Sequence, residues 1–221
     1  MPSLRIATCA ALASLCLLWS PAALAQTYDV LLVDDDGNGP GFATDLQDYW
    51  TDALTTLGAV WTVVDVSDGD DQPDAATMDA HDVVIWFTGD NFDGTVGPSG
   101  DGQDEMADYL DGGGRLLLSS QDYVYTQGGV PDLFTDLYLG VDPTRFVSDG
   151  VLMTPAIYGL PTDYVSRDYP APTYDVAAVG MSEYPDSMAP DHDAVGTFAV
   201  ENATWEFGVV RTITPTYRTM F

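Results

Sequence analysis

The sequence contains no lysine, only six arginines and two histidines, and only two cysteines among its 221 residues. Against the six arginines stand 35 acidic residues, of which 31 are aspartate. Such a charge repels nucleic-acid phosphates and anionic lipid surfaces, so we predict no nucleic-acid partner. It attracts cations, including Ca²⁺, or basic partners. The same excess of acid is also typical of adaptation to salty water, because exposed carboxylates keep a protein hydrated.

The first 25 residues have the pattern of a secretory signal peptide. Arg5 supplies a positive start, residues 6–19 form an apolar stretch, and Ala-Leu-Ala at 23–25 supplies the small residues that precede cleavage. The apolar stretch is shorter than the roughly 20 residues that a membrane-spanning helix needs. We therefore predict no membrane span and a secreted, periplasmic or cell-surface location.

Cleavage after residue 25 removes both cysteines, Cys9 and Cys16. The mature chain is then free of disulfides, thiol nucleophiles and thiolate metal sites. It keeps five arginines against all 35 acidic residues, which gives a net charge of −30. Its length suits one domain, so we predict a single α/β domain over residues 26–221.

The hydrophobic pattern from 29 to 140 predicts a doubly wound, mostly parallel sheet. Continuous apolar runs predict strands that are buried on both faces, and helical spacing separates several of them. The predicted strands are Asp29–Val33, Val60–Val66, Asp82–Phe87 and Arg115–Ser119. The predicted helices are Thr44–Leu57, Asp101–Asp111 and Pro131–Tyr138.

The pattern changes after Gly140. Residues 141–195 are rich in Pro, Tyr and Asp and have weak periodicity, which predicts a loop-rich insertion. Short strands, antiparallel in our interpretation, are predicted at Gly196–Val200, Thr204–Arg211 and Thr216–Phe221. Doubly wound domains usually finish with a helix, so either the last strand lies at an edge of the sheet or the chain belongs to a longer protein with further domains, and we favour the longer protein.

Five tyrosines of the predicted insertion are candidates for binding a carbohydrate or a protein partner, because exposed aromatic rings stack on such ligands. The alternative is that their rings hold a long loop against the sheet. These tyrosines are Tyr158, Tyr164, Tyr169, Tyr174 and Tyr184.

Three segments carry a family resemblance. They read VLLVDDD at 30–36, VVIWFTGD at 83–90 and YLDGGGRLLLSSQD at 109–122. In their order and spacing the chain resembles the class I glutamine amidotransferase-like domains of secreted bacterial proteins, over roughly residues 29–140. The resemblance implies a flavodoxin-like fold.

The resemblance also implies that amidotransferase activity is missing. Active members of the family carry a cysteine on the sharp turn after the strand that matches 115–118, where this chain has Ser119, Ser120 and Gln121. The family's later His-x-Glu pair has no match, because His192 lies in a Pro-Asp-His-Asp context. We therefore expect a non-catalytic binding or accessory module.

Ligands of parallel sheets bind beyond the carboxyl ends of the strands. Carboxylates gathered there repel one another and raise one another's pKa unless a cation joins them. Aspartate also caps turns and helices at strand ends, which is the structural alternative. The predicted ligand crevice contains Asp34, Asp35, Asp36, Asp90, Ser119, Ser120, Gln121 and Asp122.

One stretch matches a Ca²⁺-binding loop. Asp34, Asp36 and Asn38 are followed by Gly39 and, after five further residues, by Asp45. This is the pattern in which loop positions 1, 3, 5 and 12 supply oxygen ligands and a glycine at position 6 allows a tight turn. It departs from that pattern in having a strand in front of the loop and aspartate in place of the final glutamate. We predict a Ca²⁺ site formed by Asp34, Asp36, Asn38 and Asp45.

The alternative function is a hydrolase, serine- or metal-dependent, that uses the same crevice. Ser119 or Ser120 would attack, His192 would act as the base, and Asp191 or Asp193 would orient it. The chain lacks the Gly-x-Ser-x-Gly motif that usually holds such a serine.

Overall fold

The computed structural model describes residues 27–37, 45–66, 72–89, 91, 94, 96–147, 157–161, 163–168, 187–200 and 207–221. The predicted signal peptide lies outside the described residues. So do two predicted site residues, Asn38 and Asp90, and three of the insertion tyrosines, Tyr169, Tyr174 and Tyr184.

The described residues form ten strands and five helices. The strands are β1 (Asp29–Asp34), β2 (Val60–Asp65), β3 (Val83–Gly89), β4 (Arg115–Ser120), β5 (Val141–Val147), β6 (Ile157–Gly159), β7 (Ser187–Pro190), β8 (Ala194–Val200), β9 (Phe207–Ile213) and β10 (Arg218–Met220). The helices are α1 (Gln47–Leu57), α2 (Ala75–Asp79), α3 (Asp101–Asp111), α4 (Tyr123–Thr126) and the π-helical α5 (Thr135–Leu139). None of these helices is long and apolar enough to cross a membrane.

All ten strands belong to one sheet with two halves. In the first half, β2, β1, β3, β4 and β10 lie side by side and run parallel. In the second half, β9 pairs antiparallel with β10, β7 and β8, and these lead to β5 and β6. The α/β class, the parallel sheet and the antiparallel strands near the C-terminus are confirmed. The parallel half has the 2-1-3-4-5 order of one common doubly wound fold, with β10 in the fifth position.

Helices cover both faces of the parallel half. Side chains alternate along a strand, so Val30 and Leu32 of β1 pack toward α1, whose Trp50 and Leu54 lie against the same cluster. We call this face the α1 side. Because both faces are buried, these strands are continuous apolar runs in the sequence.

The opposite face of the same strands is the α3 side. Leu31 and Val33 of β1 pack there with Trp86 of β3. Met106 and Leu110 of α3 are fully buried in this larger cluster. The two hydrophobic layers together hold the end of β1 in a defined orientation.

The fold departs from the sequence prediction in three places, of which one is the short helix α4 after β4. A single-turn helix, α2, lies between β2 and β3, and its N-cap Asp74 accepts a hydrogen bond from the Thr77 amide at 2.8 Å. Residues 141–195, predicted to be loop-rich, contain β5, β6 and β7. Proline within β5 and β7, at Pro143 and Pro190, is unusual in strands and obscures the pattern there.

Candidate functional site

The carboxyl ends of three parallel strands meet at one edge of the sheet. Asp34 of β1 is in register with Phe87 of β3, and Phe87 is in register with Ser119 of β4. Ser120 is in register with Gly89. The edge lies where β1 is flanked by β2 on one side and β3 on the other, which is the switch point at which doubly wound folds bind ligands.

Strand alternation divides the three consecutive aspartates between the two faces of the sheet. Asp34 and Asp36 continue the row of Val30 and Leu32 on the α1 side, whereas Asp35 continues the row that contacts Trp86 on the α3 side. The crevice expected from the sequence is therefore one edge with two separate chemical environments.

Three carboxylates come together on the α1 side. Asp34 and Asp36 are buried, Asp45 is exposed, and one carboxylate oxygen of each lies within 4.8 Å of the others. The start of α1 holds the group in place, because Oδ2 of Asp36 accepts the Leu46 amide at 2.6 Å. Oδ1 of Asp45 accepts the Gln47 amide at 3.0 Å. These are positions 1, 3 and 12 of the predicted Ca²⁺ loop.

The second oxygen of Asp36 is distinctive. Asp36 is 0% exposed, and its Oδ1 has no hydrogen-bond partner among the described residues. Burying a carboxylate oxygen without a donor is costly, and native proteins rarely leave one so. A bound cation is one way to satisfy such an oxygen.

The pKa values of Asp34 and Asp36 move in the direction that a crowded, buried carboxylate cluster requires. Burial, and next the charge of Asp36, raise the pKa of Asp34 from 3.8 to about 7. Burial raises the pKa of Asp36 as well, although the Leu46 amide opposes this. Asp65, in register with Asp34, adds further negative charge. A cation would reverse these shifts, because it favours the ionised form.

Two glycines permit the close packing around the cluster. Gly89 has φ +56°, and a Cβ there would lie 3.1 Å from Cδ1 of Leu46 and 3.4 Å from Cβ of Asp36. Gly37 has φ +69°, and a Cβ there would lie 2.6 Å from Nδ2 of Asn91. Glycine adopts this left-handed conformation without the strain that other residues incur.

Asp35, on the α3 side, has two hydrogen-bond donors for one of its carboxylate oxygens. Its Oδ2 accepts the Trp86 indole N–H at 3.0 Å and the Gly97 amide at 2.6 Å. Burial raises the pKa of Asp35 to about 6, against the lowering effect of these two donors. Its carboxylate therefore connects β1, β3 and the segment that leads to α3.

Ser120, Gln121 and Asp122 of the predicted crevice have structural partners. Thr88 is buried and donates its hydroxyl to Oγ of Ser120 at 2.6 Å. Gln121 donates to Oδ2 of Asp122 at 3.2 Å. The backbone carbonyl of Asp122 accepts the Thr126 amide in the first turn of α4. These contacts fit the alternative in which polar residues cap strand and helix ends.

The serine–histidine pair of the hydrolase alternative is not assembled. The strand register relates His192 to β4 in three steps. Ala194 of β8 pairs with Thr212 of β9, Thr212 pairs with Thr219 of β10, and Thr219 pairs with Leu116 of β4. Residues just before Ala194 therefore lie toward the amino end of β4. His192 and Ser120 are consequently separated by about 15–20 Å along the strand direction. This register places His192 away from both Ser119 and Ser120.

His192 has a different partner, which sequence reasoning missed. Its Nε2 lies 2.9 Å from Oδ1 of Asp136, and Asp191 completes a group whose ligand atoms lie within 4.8 Å of one another. The group is partly exposed. No sequence pattern indicated this pairing, because Asp136 is 56 positions away from His192.

Among the five insertion tyrosines, Tyr164 is the one whose side-chain contacts the structure describes. Tyr164 is 60% exposed, and the Arg211 guanidinium lies 4.4 Å from the centre of its ring. Arg211 also donates to Oδ2 of the buried Asp163 at 2.7 Å. Burial would raise the pKa of Asp163, but donors from Arg211, Ser166 and Val165 hold it below its usual value. This segment is thereby attached to the antiparallel half of the sheet.

No protein-family model matches this chain, and no curated protein is significantly similar to it.

Proposed function

We propose that this chain is an exported, non-catalytic α/β module that binds a hard divalent cation, expected to be Ca²⁺, through Asp34, Asp36 and Asp45. The module would serve a binding or accessory role within a larger exported protein. The observation that carries the proposal is the buried Oδ1 of Asp36, which has no donor among the described residues and belongs to a cluster of three carboxylates.

The donor set favours a hard cation. All three side chains offer oxygen, and Ca²⁺ takes six to eight oxygen ligands whereas thiolate and imidazole ligands suit Zn²⁺ and copper. Three carboxylates also supply more negative charge than one divalent ion neutralises. The net charge of the mature chain adds a long-range attraction for cations.

The loop pattern supports the same ion. Positions 1, 3 and 12 of the predicted loop are the residues that lie together, and position 12 is at the start of α1. Asn38, at position 5, is expected to supply a fourth side-chain oxygen. The strand–loop–helix arrangement replaces the helix–loop–helix of the usual calcium-binding hand.

The resemblance to amidotransferase-like domains supports a non-catalytic role. The turn after β4 carries serines and glutamine where active members have a cysteine. Thr88 already engages Ser120, and His192 lies toward the other end of the strands. A carbohydrate or protein ligand is compatible with such a module.

The test is cation binding by residues 26–221, measured by isothermal titration calorimetry and by thermal melting after treatment with a chelator. Ca²⁺ and Mg²⁺ are titrated separately into the wild-type chain and into the variants Asp36→Asn and Asp45→Asn. Asp52→Asn is the matched control, because it removes the same charge from an exposed position of α1 outside the cluster.

We expect stoichiometric Ca²⁺ binding by the wild-type chain and by Asp52→Asn. A cation present at 100 times its Kd stabilises the folded state by about 2.7 kcal/mol, which a melting curve detects readily. Asp36→Asn and Asp45→Asn should lose most of this response. The titration is repeated at about 1 M NaCl, where screening removes diffuse attraction to the acidic surface. Absence of saturable binding by the wild-type chain with either ion would reject the proposal.

A further inference from the structure

We propose that Asp35 is the positioning residue of the cation site: it holds the end of β1 from the α3 side so that its two neighbours present their carboxylates on the α1 side. This inference rests on the proposed cation site. It assigns to the middle aspartate of the Asp34-Asp35-Asp36 run a role different from that of a ligand.

Asp35 is fixed by both its backbone and its side chain. Its amide donates to the Phe87 carbonyl at 3.0 Å, which extends the β1–β3 ladder by one residue past the end of β1. Its Oδ2 accepts two donors, from Trp86 and Gly97. Asp35 is 7% exposed, so the side chain is enclosed together with these donors.

The group that anchors Asp35 is itself rigid. Trp86 is 1% exposed within the larger hydrophobic cluster. Gly97 has φ +76°, and a Cβ there would lie 2.5 Å from Cδ2 of Tyr123, so only glycine brings this amide so close to the ring. The Tyr123 hydroxyl donates to the Pro98 carbonyl at 2.9 Å, which fixes the same segment.

The connection between Asp35 and the cluster is covalent. Asp34 and Asp36 flank it directly in the chain, so a rotation of the backbone at Asp35 changes the directions of both neighbouring side chains. Groups that orient metal ligands without touching the metal typically change metal affinity about 10- to 100-fold when they are mutated. Asp35 occupies the place of such a group.

A charge-matched pair of variants isolates this role. Asp35→Asn and Asp35→Ala lose the same negative charge, but the asparagine Oδ1 retains an acceptor for both donors, since a single oxygen of Asp35 serves both. We expect Asp35→Ala to bind Ca²⁺ at least about tenfold more weakly than Asp35→Asn. Equal affinities of the two variants, with both folded by circular dichroism, would overturn the inference.

A third variant keeps the charge of Asp35 and removes one of its donors. Trp86→Phe is expected to weaken Ca²⁺ binding about threefold, the worth of one modest hydrogen bond. This variant also assigns the Trp86 indole N–H signal in a ¹⁵N-resolved NMR spectrum of the wild-type chain. That signal should move during a Ca²⁺ titration with the same midpoint as calorimetric binding.

The outcomes separate this inference from the proposed function. No binding by the wild-type chain rejects the cation site and, with it, the role of Asp35. Binding by the wild-type chain with an unmoved Trp86 signal rejects the role of Asp35 alone. If Asp35→Ala does not fold, the NMR titration and the Trp86→Phe affinity decide the question, because both use folded protein.

Discussion

At the end of β1, buried aspartates on the two sides of the sheet have opposite hydrogen-bonding environments. On the α3 side, Asp35 satisfies two buried N–H donors with one oxygen. On the α1 side, Asp36 is equally buried, but one of its oxygens has no donor among the described residues, and other carboxylates crowd it. Burial alone therefore does not distinguish the structural aspartate from the proposed cation ligand. The number of hydrogen-bond donors available to each carboxylate does.

The largest expected effect comes from removing the Asp35 carboxylate, which accepts two hydrogen bonds. In the cation-free chain, Asp35→Ala leaves the Trp86 indole N–H and the Gly97 amide buried without an acceptor. We expect a loss of about 3 kcal/mol in the free energy of unfolding, measured by urea denaturation. A loss below about 1 kcal/mol would mean that water satisfies these donors and that the contrast between the two sides is weak.

The pH dependence of the cation-free chain gives the next effect. The pKa of Asp34, about 7 when folded, exceeds the ordinary value of 3.8, so the folded state binds more protons than the unfolded state between these values. Stability should fall as pH rises from about 4 to about 7 and then level off. Asp34→Asn should flatten this part of the curve in urea denaturation series. An unchanged slope in that variant would remove Asp34 as its source.

A pair of glycine variants tests the packing on the α1 side. Gly89→Ala introduces a Cβ against Leu46 at positive φ, and we expect it to cost about 1–2 kcal/mol. Gly58→Ala is the control, because it has φ +72° with open space around the new Cβ. The difference between the two, measured by thermal melting, reports the contact. Equal losses would show that conformational strain accounts for both.

Asp36→Asn should act in the direction opposite to Asp35→Ala. Its amide keeps an oxygen for the Leu46 N–H and offers a donor to the Asp34 carboxylate. We expect the cation-free chain to gain about 1 kcal/mol, on the order of one net hydrogen bond, while the response to Ca²⁺ is lost. Urea denaturation with and without Ca²⁺ checks both halves of this expectation. Destabilisation of the cation-free variant would contradict it.

The smallest effect is expected far from the β1 end. His192 is exposed, and its contact with Asp136 lies at the surface. His192→Ala should change stability by less than about 0.5 kcal/mol and leave Ca²⁺ affinity unchanged. Loss of calorimetric Ca²⁺ binding in this variant would move the site to the Asp136–His192 group.

Most of the parallel half could be predicted from the sequence. β1, β3 and β4 lie within one or two residues of their predicted positions, and α3 has its predicted bounds, because these elements have strong apolar periodicity. β5 and β7 were missed because proline and aspartate break their alternation. Their strand conformation comes from pairing with distant residues, which local sequence does not encode.

The candidate site was predicted in part. The Ca²⁺-loop pattern predicted that Asp34, Asp36 and Asp45 belong to one site, and their carboxylates lie together in the structure. The sequence also indicates that Asp35 faces the side of the sheet opposite to Asp34 and Asp36, because side chains alternate along β1 and this alternation continues into the three aspartates. The partners of that carboxylate, Trp86 and Gly97, lie 51 and 62 positions away, so only the folded chain identifies them.

The position of β10 has a consequence for folding. Its short ladder with β4 joins Arg218 to Arg115, while the neighbours β3 and β4 follow each other closely in the chain. During folding the outer edge of β4 therefore stays open until β10 pairs with it, and open strand edges invite aggregation. Mutual repulsion among the strongly negative chains would keep those edges apart during this interval.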